Sequence, residues 1–280
     1  MDTRSLASNG HVAAVELRGQ VTADKFVDGT VMQVAATSSD LLGVSDPKRR
    51  ERQLLFGDHF RVLEYRDHLA FGQAKKDGYV GWVAADDLDA AVDATHVVIS
   101  RGTHLYAQPD IKCRDALSVS LGSRLRVVGG HGDLFEIHDG RFVPKPHLRP
   151  ANAPLGDPAS VAQLLFGTPY LWGGNSNQGI DCSGLVQVAF LMCGVSCPPD
   201  SDQQEMSLGD LIDIKQVARG DLLFWKGHVA MAVDDTILIH ANAHSMSVTY
   251  ESIDEAIARI RETGGGAITC CRRVSKVRDG

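Results

Sequence analysis

The sequence predicts an α+β protein: two small all-β barrels followed by a domain of mixed helices and strands. Three observations predict it. From residue 29 to about residue 148, short β-prone runs alternate with turn residues and no helical periodicity intrudes. A cluster of prolines, Pro144, Pro146, Pro150 and Pro154, then marks a linker. Beyond it, capped helical patterns alternate with apolar runs of strand length. The implied divisions are an N-terminal arm at 1–28, barrels at 29–90 and 91–150, and the mixed domain at 151–280.

The arm has weak periodicity. In the first barrel the strand-like runs are Val31–Ala35, Arg61–Tyr65, Leu69–Lys75 and Tyr79–Val83. In the second they are Val97–Ser100, Leu105–Ala107, Arg124–Val128, Leu134–His138 and Phe142–Pro144. Asp77-Gly78-Tyr79 and Asp139-Gly140-Arg141-Phe142 each put a turn and an aromatic before a last strand, a weak repeat of about 60 residues. In the third domain Asp157-Pro158 is an N-cap followed by Pro at the first helical position, and Gly167 closes that helix. From Cys182, apolar Leu185, Val186, Ala189, Phe190 and Cys193 fall on one helical face, stopped by Gly194. Strands are predicted at Asp221–Trp225, His228–Val233 and Ile237–His240. Ser252-x-x-Glu255 reads as a capping box opening a helix to about Thr263, before a strand at Ala267–Val274.

At 280 residues, 44% hydrophobic and 22% charged, the composition is that of an ordinary globular protein. A net charge of −7 argues against nucleic acid and anionic membrane as partners. No run approaches the ~18 apolar residues of a membrane span, and Met1–Gln20 lacks the apolar core of a secretory signal. The expected location is therefore cytoplasmic. The six cysteines read as reduced thiols, since neither Cys193-x3-Cys197 nor Cys270-Cys271 has the spacing of a zinc knuckle. No metal and no cofactor is expected.

Asp181-Cys182-Ser183-Gly184 carries the chemistry. A thiol at a helix N-terminus meets unpaired N–H groups and the positive end of the helix dipole, which favour its thiolate. An imidazole in reach can take the proton, and a second polar group can orient that imidazole. His228 and His240 are the candidates, 240 − 228 = 12 residues apart on consecutive strands. A two-residue hairpin loop at Asp234-Asp235 would put them on opposite faces of the sheet. A loop of three or five residues centred on Asp234 gives an index sum of 468, setting His228 across from His240, and an odd loop or a compensating bulge is the prediction.

Tyr170-Leu171-Trp172-Gly173-Gly174, Asp181-Cys182-Ser183-Gly184-Leu185-Val186, Gly220-Asp221-Leu222-Leu223-Phe224-Trp225, His228-Val229 and Ile239-His240-Ala241 stand in the order found in the NlpC-type cell-wall cysteine peptidases, which residues 155 to 280 resemble. The resemblance implies a papain-like fold, a Cys182-His228-His240 triad and Tyr170 as a donor to the oxyanion. The barrels are similar to bacterial SH3-like domains. The whole resembles the members that recycle murein peptides, cleaving between γ-D-glutamate and a diamino acid in a murein tripeptide or tetrapeptide. On that mapping Asp200, with Ser183, holds the ammonium of an N-terminal L-alanine, Asp202 being the neighbouring alternative, and Trp172 shapes the pocket wall. The first barrel would cap the pocket with an acid and a tyrosine. Asp58 stands where the family has glutamate, a shorter reach, and Tyr79 is the tyrosine candidate. The competing reading is a cell-wall or protein binding module with a silent peptidase-like domain. A thiol acyltransferase of related fold would place histidine before cysteine, an order absent here.

Overall fold

A computed structural model describes residues 2–275. The chain divides into two compact units, one running to Ala153 and one from Pro154.

The first unit is almost entirely β. Among the described residues, one antiparallel sheet of seven strands has the order Arg50–Leu55, Ser38–Leu42, Val80–Ala84, Leu69–Ala74, His59–Arg66, Thr30–Val34, Leu88–Ala90. Val34, Leu41, Leu54, Phe60, Val62, Ala70 and Val83 fill its centre. The second set of strands forms a five-stranded and a three-stranded sheet around Val98, Leu105, Val119, Leu125, Ile137 and Val143. Phe56, from the turn that follows Arg50–Leu55, joins this second core. The next residue, Gly57, has φ +79°, and any Cβ there would strike the Arg124 carbonyl. The stretch read as an arm contains the parallel strands Val12–Ala14 and Lys25–Val27. Its Ala7, Val12 and Ala14 pack with Leu63, Phe71, Val80 and Trp82 of the seven-stranded sheet.

The second unit is an antiparallel sheet of six strands among the described residues, in the order Asp210–Ile212, Cys270–Arg273, Leu222–Trp225, His228–Ala232, Ile237–Asn242, Ser247–Ser252. Among the described residues four α-helices accompany it: α1 (Pro158–Gln163), α2 (Cys182–Met192), α3 (Ser201–Ser207) and α4 (Ile253–Glu262). Asp157 caps α1 through the Ala159 N–H at 3.1 Å, with Pro158 at the first helical position. That helix stops at Gln163, short of the predicted Gly167, because the N–H groups of Leu164 and Leu165 reach back only three residues, the tighter winding of a last turn. The strands Leu222–Trp225 and Val229–Ala232 are buried at every position, so both faces of the central sheet are covered. Helix α4 covers one face through Ile253, Ala256 and Ile260, against Leu223, Trp225, Ala230, Ala232 and Leu238. Helix α2 packs against α1 and against the strands His228–Ala232 and Ile237–Asn242. The predicted capping box is not formed, for Ser252 starts α4 without a side-chain cap bond.

Candidate functional site

Cys182 is the first residue of α2 and is nearly buried. Asp181 builds this helix start. Its Oδ1 accepts the Gly184 N–H at 2.6 Å and the Ser183 hydroxyl at 3.1 Å, while Oδ2 accepts the Gly173 N–H at 2.9 Å. One buried carboxylate thus ties the Trp172-Gly173-Gly174 turn to the first turn of α2. Trp172 itself is 58% exposed. Tyr170 is half-buried, and its N–H donates to the Met246 carbonyl at 2.9 Å. Burial, with Cys182 and Asp181 as neighbouring negative charges, pushes its phenol up to about 12. At neutral pH the group is therefore a hydrogen-bond donor beside the thiol.

His228 opens its strand after the tight turn Lys226-Gly227, where Gly227 adopts φ +74°. The hairpin to the next strand has the predicted odd parity but a different centre. Met231 pairs with Ile239, an index sum of 231 + 239 = 470 in place of 468. The physical reason is Asp234. Its Oδ1 takes the N–H groups of Thr236 and Ile237 and the Thr236 hydroxyl, each at 2.8 Å, making Asp234 the first loop residue and Asp235 the middle one. His228 and His240 consequently share a sheet face as diagonal neighbours, not as a directly opposed pair. Their rings meet: His228 Nε2 lies 2.9 Å from His240 Nδ1.

Behind them stands a pair that the sequence reading missed. His240 is fully buried, and its Nε2 lies 3.1 Å from Glu251 Oε2. The approach falls short of ideal hydrogen-bond alignment, and that nitrogen pairs with no other polar group. Arg259 of α4 grips both oxygens of Glu251, at 2.7 Å each. Burial is the main cause that pushes His228 down to about 3 and His240 down to about 4, so both are neutral at pH 7. Arg259 holds the Glu251 carboxyl below its ordinary value.

Asp200 occupies the N-cap position of α3. Two buried glutamines lock its loop to α2. Gln204 donates to the carbonyls of Ser183 (3.0 Å) and Pro198 (2.8 Å), and Gln187 donates to the Cys197 carbonyl (3.2 Å). Sequence reading missed both, since an amide carries no catalytic signature. Ser183 and the segment around Asp200 are thereby brought together. Asp58 and Tyr79 belong to the first unit. The Asp58 carboxylate is 5% exposed, accepts the Leu55 N–H at 2.9 Å and pairs with Lys76 at 2.7 Å. Tyr79 packs in the core of the seven-stranded sheet. Cys270 donates to Glu205 and Cys271 lies in the core under α4; among the described residues no cluster of His, Cys, Asp or Glu is placed to hold a metal.

Comparison with known proteins agrees with this architecture. Residues 167–264 match the NlpC/P60 family, and residues 45–88 match the bacterial dipeptidyl-peptidase SH3 domain. A protein of Lysinibacillus sphaericus named dipeptidyl-peptidase 6 is 40% identical over 241 residues, covering 78% of this chain and 89% of that protein. A γ-D-glutamyl-L-lysine dipeptidyl-peptidase of Bacillus cereus is 28% identical over 246 residues, covering 76% and 73%. The crystal structure of an NlpC/P60 family protein from Bacillus cereus shares the fold, with a TM-score of 0.72 at 20% identity over 87% of this chain and 99% of that one. The chain belongs to the NlpC/P60 family: it is a peptidase whose papain-like catalytic region follows an SH3-like all-β region.

Proposed function

We propose that the protein is a cysteine endopeptidase that cuts the γ-D-glutamyl–diamino acid bond of murein tripeptides or tetrapeptides bearing a free N-terminal L-alanine. The observation that carries this reading is the 2.9 Å bond between His228 and His240, on strands packed against the helix that Cys182 opens. The Cys182 thiol passes its proton to His228, and the sulfur attacks the γ-glutamyl carbonyl. The Cys182 N–H and the Tyr170 hydroxyl donate to the resulting oxyanion. His228 returns the proton to the departing amine of the diamino acid, leaving a thioester on Cys182. Water, deprotonated by His228, then hydrolyses the thioester and releases L-Ala-γ-D-Glu. His240 holds the His228 ring in place throughout.

Substrate choice follows from charge. Asp200, set beside Ser183 by Gln204, offers a fixed carboxylate to the terminal ammonium, and a substrate without that charge leaves the carboxylate unpaired. Trp172 forms part of the pocket wall. Two Bacillus relatives are named γ-D-glutamyl-L-lysine dipeptidyl-peptidases, which supports cleavage at this bond with release of a dipeptide. The reading places the enzyme in the cytoplasm, recycling peptides already released from the wall.

The test is an assay of purified protein on L-Ala-γ-D-Glu-diaminopimelate, free and N-acetylated, with products identified by mass. The free peptide should yield L-Ala-γ-D-Glu, the acetylated one should be cut at least about 10²-fold more slowly, and Cys182→Ala should abolish turnover. Equal cleavage of both peptides would defeat the anchoring role of Asp200. Absence of hydrolysis from any muropeptide would return the protein to the binding-module reading.

A further inference from the structure

We propose that Glu251, gripped by Arg259, is a positioning residue: it fixes which nitrogen of each histidine carries the proton, and so presents His228 Nδ1 as the base. This rests on the proposed role of His228. The geometry is a single file: His228 Nε2 to His240 Nδ1 at 2.9 Å, His240 Nε2 to Glu251 Oε2 at 3.1 Å, and both Glu251 oxygens to Arg259 at 2.7 Å. The sheet register produces it. Thr249 pairs with His240 and Glu251 with Leu238, so Glu251 is the diagonal neighbour of His240 on the face that α4 covers.

The proton count follows from what each atom can do. An ionised carboxylate only accepts, and the Arg259 fork keeps Glu251 ionised. The proton between His240 and Glu251 is therefore on His240 Nε2. His240 is buried and neutral, so its Nδ1 is a bare acceptor. His228 Nε2 must then be the donor across the 2.9 Å contact. His228 is neutral as well, which leaves its Nδ1 with the free lone pair. With the opposite tautomer of His240, an Nδ1–H would face His228 and Nε2 would present a lone pair to an anion. That arrangement is repelled. When His228 later holds the thiol proton, the same carboxylate offsets part of the imidazolium charge. Among the charged and titratable groups, His240 acts on His228, and Glu251 and Arg259 act on both rings.

The experiment uses full-length enzyme and the variants Glu251→Ala, Glu251→Asp and Arg259→Gln, with Cys182→Ala and His228→Ala as references. Three quantities are read: kcat and KM, the melting temperature, and the pH dependence of Cys182 alkylation by iodoacetamide. Glu251→Ala should lower kcat about 10–100-fold, the size of effect seen when a partner orienting a metal-bound histidine is lost, with KM within about 2-fold. Its alkylation midpoint should move up towards that of a free thiol, about 8.5. Arg259→Gln should fall between it and the parent, and Glu251→Asp should recover part of the rate. A Glu251→Ala enzyme with parental kcat and alkylation midpoint overturns the proposal, as does a rate loss fully accounted for by its unfolded fraction. If His228→Ala keeps parental turnover, the proposed function has failed. If His228→Ala is inactive while Glu251→Ala is unaffected, the positioning role alone has failed.

Discussion

Replacing Asp181 by alanine removes the acceptor that joins the start of α2 to the preceding glycine turn. The Gly184 N–H, the Ser183 hydroxyl and the Gly173 N–H all lose a carboxylate oxygen. Loss of a helix N-cap costs about 0.5–2 kcal/mol. Leaving the buried Gly173 N–H without its acceptor adds about 1–3 kcal/mol. The hydroxyl can turn to another acceptor and adds little. Together these make about 1.5–5 kcal/mol for the second unit. Asparagine separates the two halves of the effect. It keeps an oxygen for Gly184 but turns an amide N–H towards the Gly173 N–H, so Asp181→Asn should lose about half as much. Urea unfolding followed by tryptophan fluorescence measures this, with Trp172 and Trp225 in the second unit and Trp82 in the first. The two units are fitted as separate transitions. An Asp181→Ala protein within 0.5 kcal/mol of the parent would refute the reasoning, and so would an asparagine variant less stable than alanine.

Gly184→Ala should destabilise the protein although it lies in a helix, where the exchange ordinarily gains about 1 kcal/mol. A Cβ there would lie 2.5 Å from the Gly174 carbonyl oxygen and 3.0 Å from Asn175 Oδ1, so a loss of about 1–3 kcal/mol is expected in the same urea assay. A more stable variant would show that the Gly174 turn yields freely. The second unit should also weaken as pH falls from about 6.5 towards 4. His228 and His240 titrate near 6.5 when unfolded but are pushed down to about 3 and about 4 in the fold. Over that window the unfolded chain binds protons that the native state refuses, so stability present above 6.5 is progressively lost. Stability measured at pH 7 and pH 4.5 checks this, and His240→Gln should flatten the slope. An unchanged stability across the window counts against buried neutral histidines.

Most of what could be read from the sequence acts locally, though the Ser252 capping box, equally local, does not form. Asp157-Pro158 and Asp181-Cys182 announce helix starts because the capping atoms lie within three residues of what they cap. The parity of the His228–His240 hairpin was legible for the same reason, and its centre was missed because Asp234 bonds forward. The strand Arg50–Leu55 gave no signal, since Arg-Glu-Arg-Gln has no apolar alternation. Its Arg52 and Gln53 are nonetheless buried, and Arg50 and Gln53 reach Asp40 on the neighbouring strand. The strand Ser247–Ser252 was missed too, and Glu251 with it. Only its pairing with Ile237–Asn242 brings that carboxylate to His240, and pairing is a long-range fact.

The interior placement of the histidines creates a problem that their partners must solve. On the proposed mechanism His228 is the base, and a base pushed down to about 3 is far weaker than free imidazole, while proton transfer works best when the base titrates near the working pH. Burial alone would leave His228 unable to hold the thiol proton. In the proposed transfer it gains that ability from the anion created at Cys182, and the burden left on His240 falls on the Glu251 carboxylate. Arg259 sets the limit: it keeps Glu251 ionised, yet its own positive charge opposes protonation of both rings. On the proposed mechanism the thiol and the two imidazoles would act as one coupled group, and the pH at which the enzyme gains activity would belong to the set, not to His228.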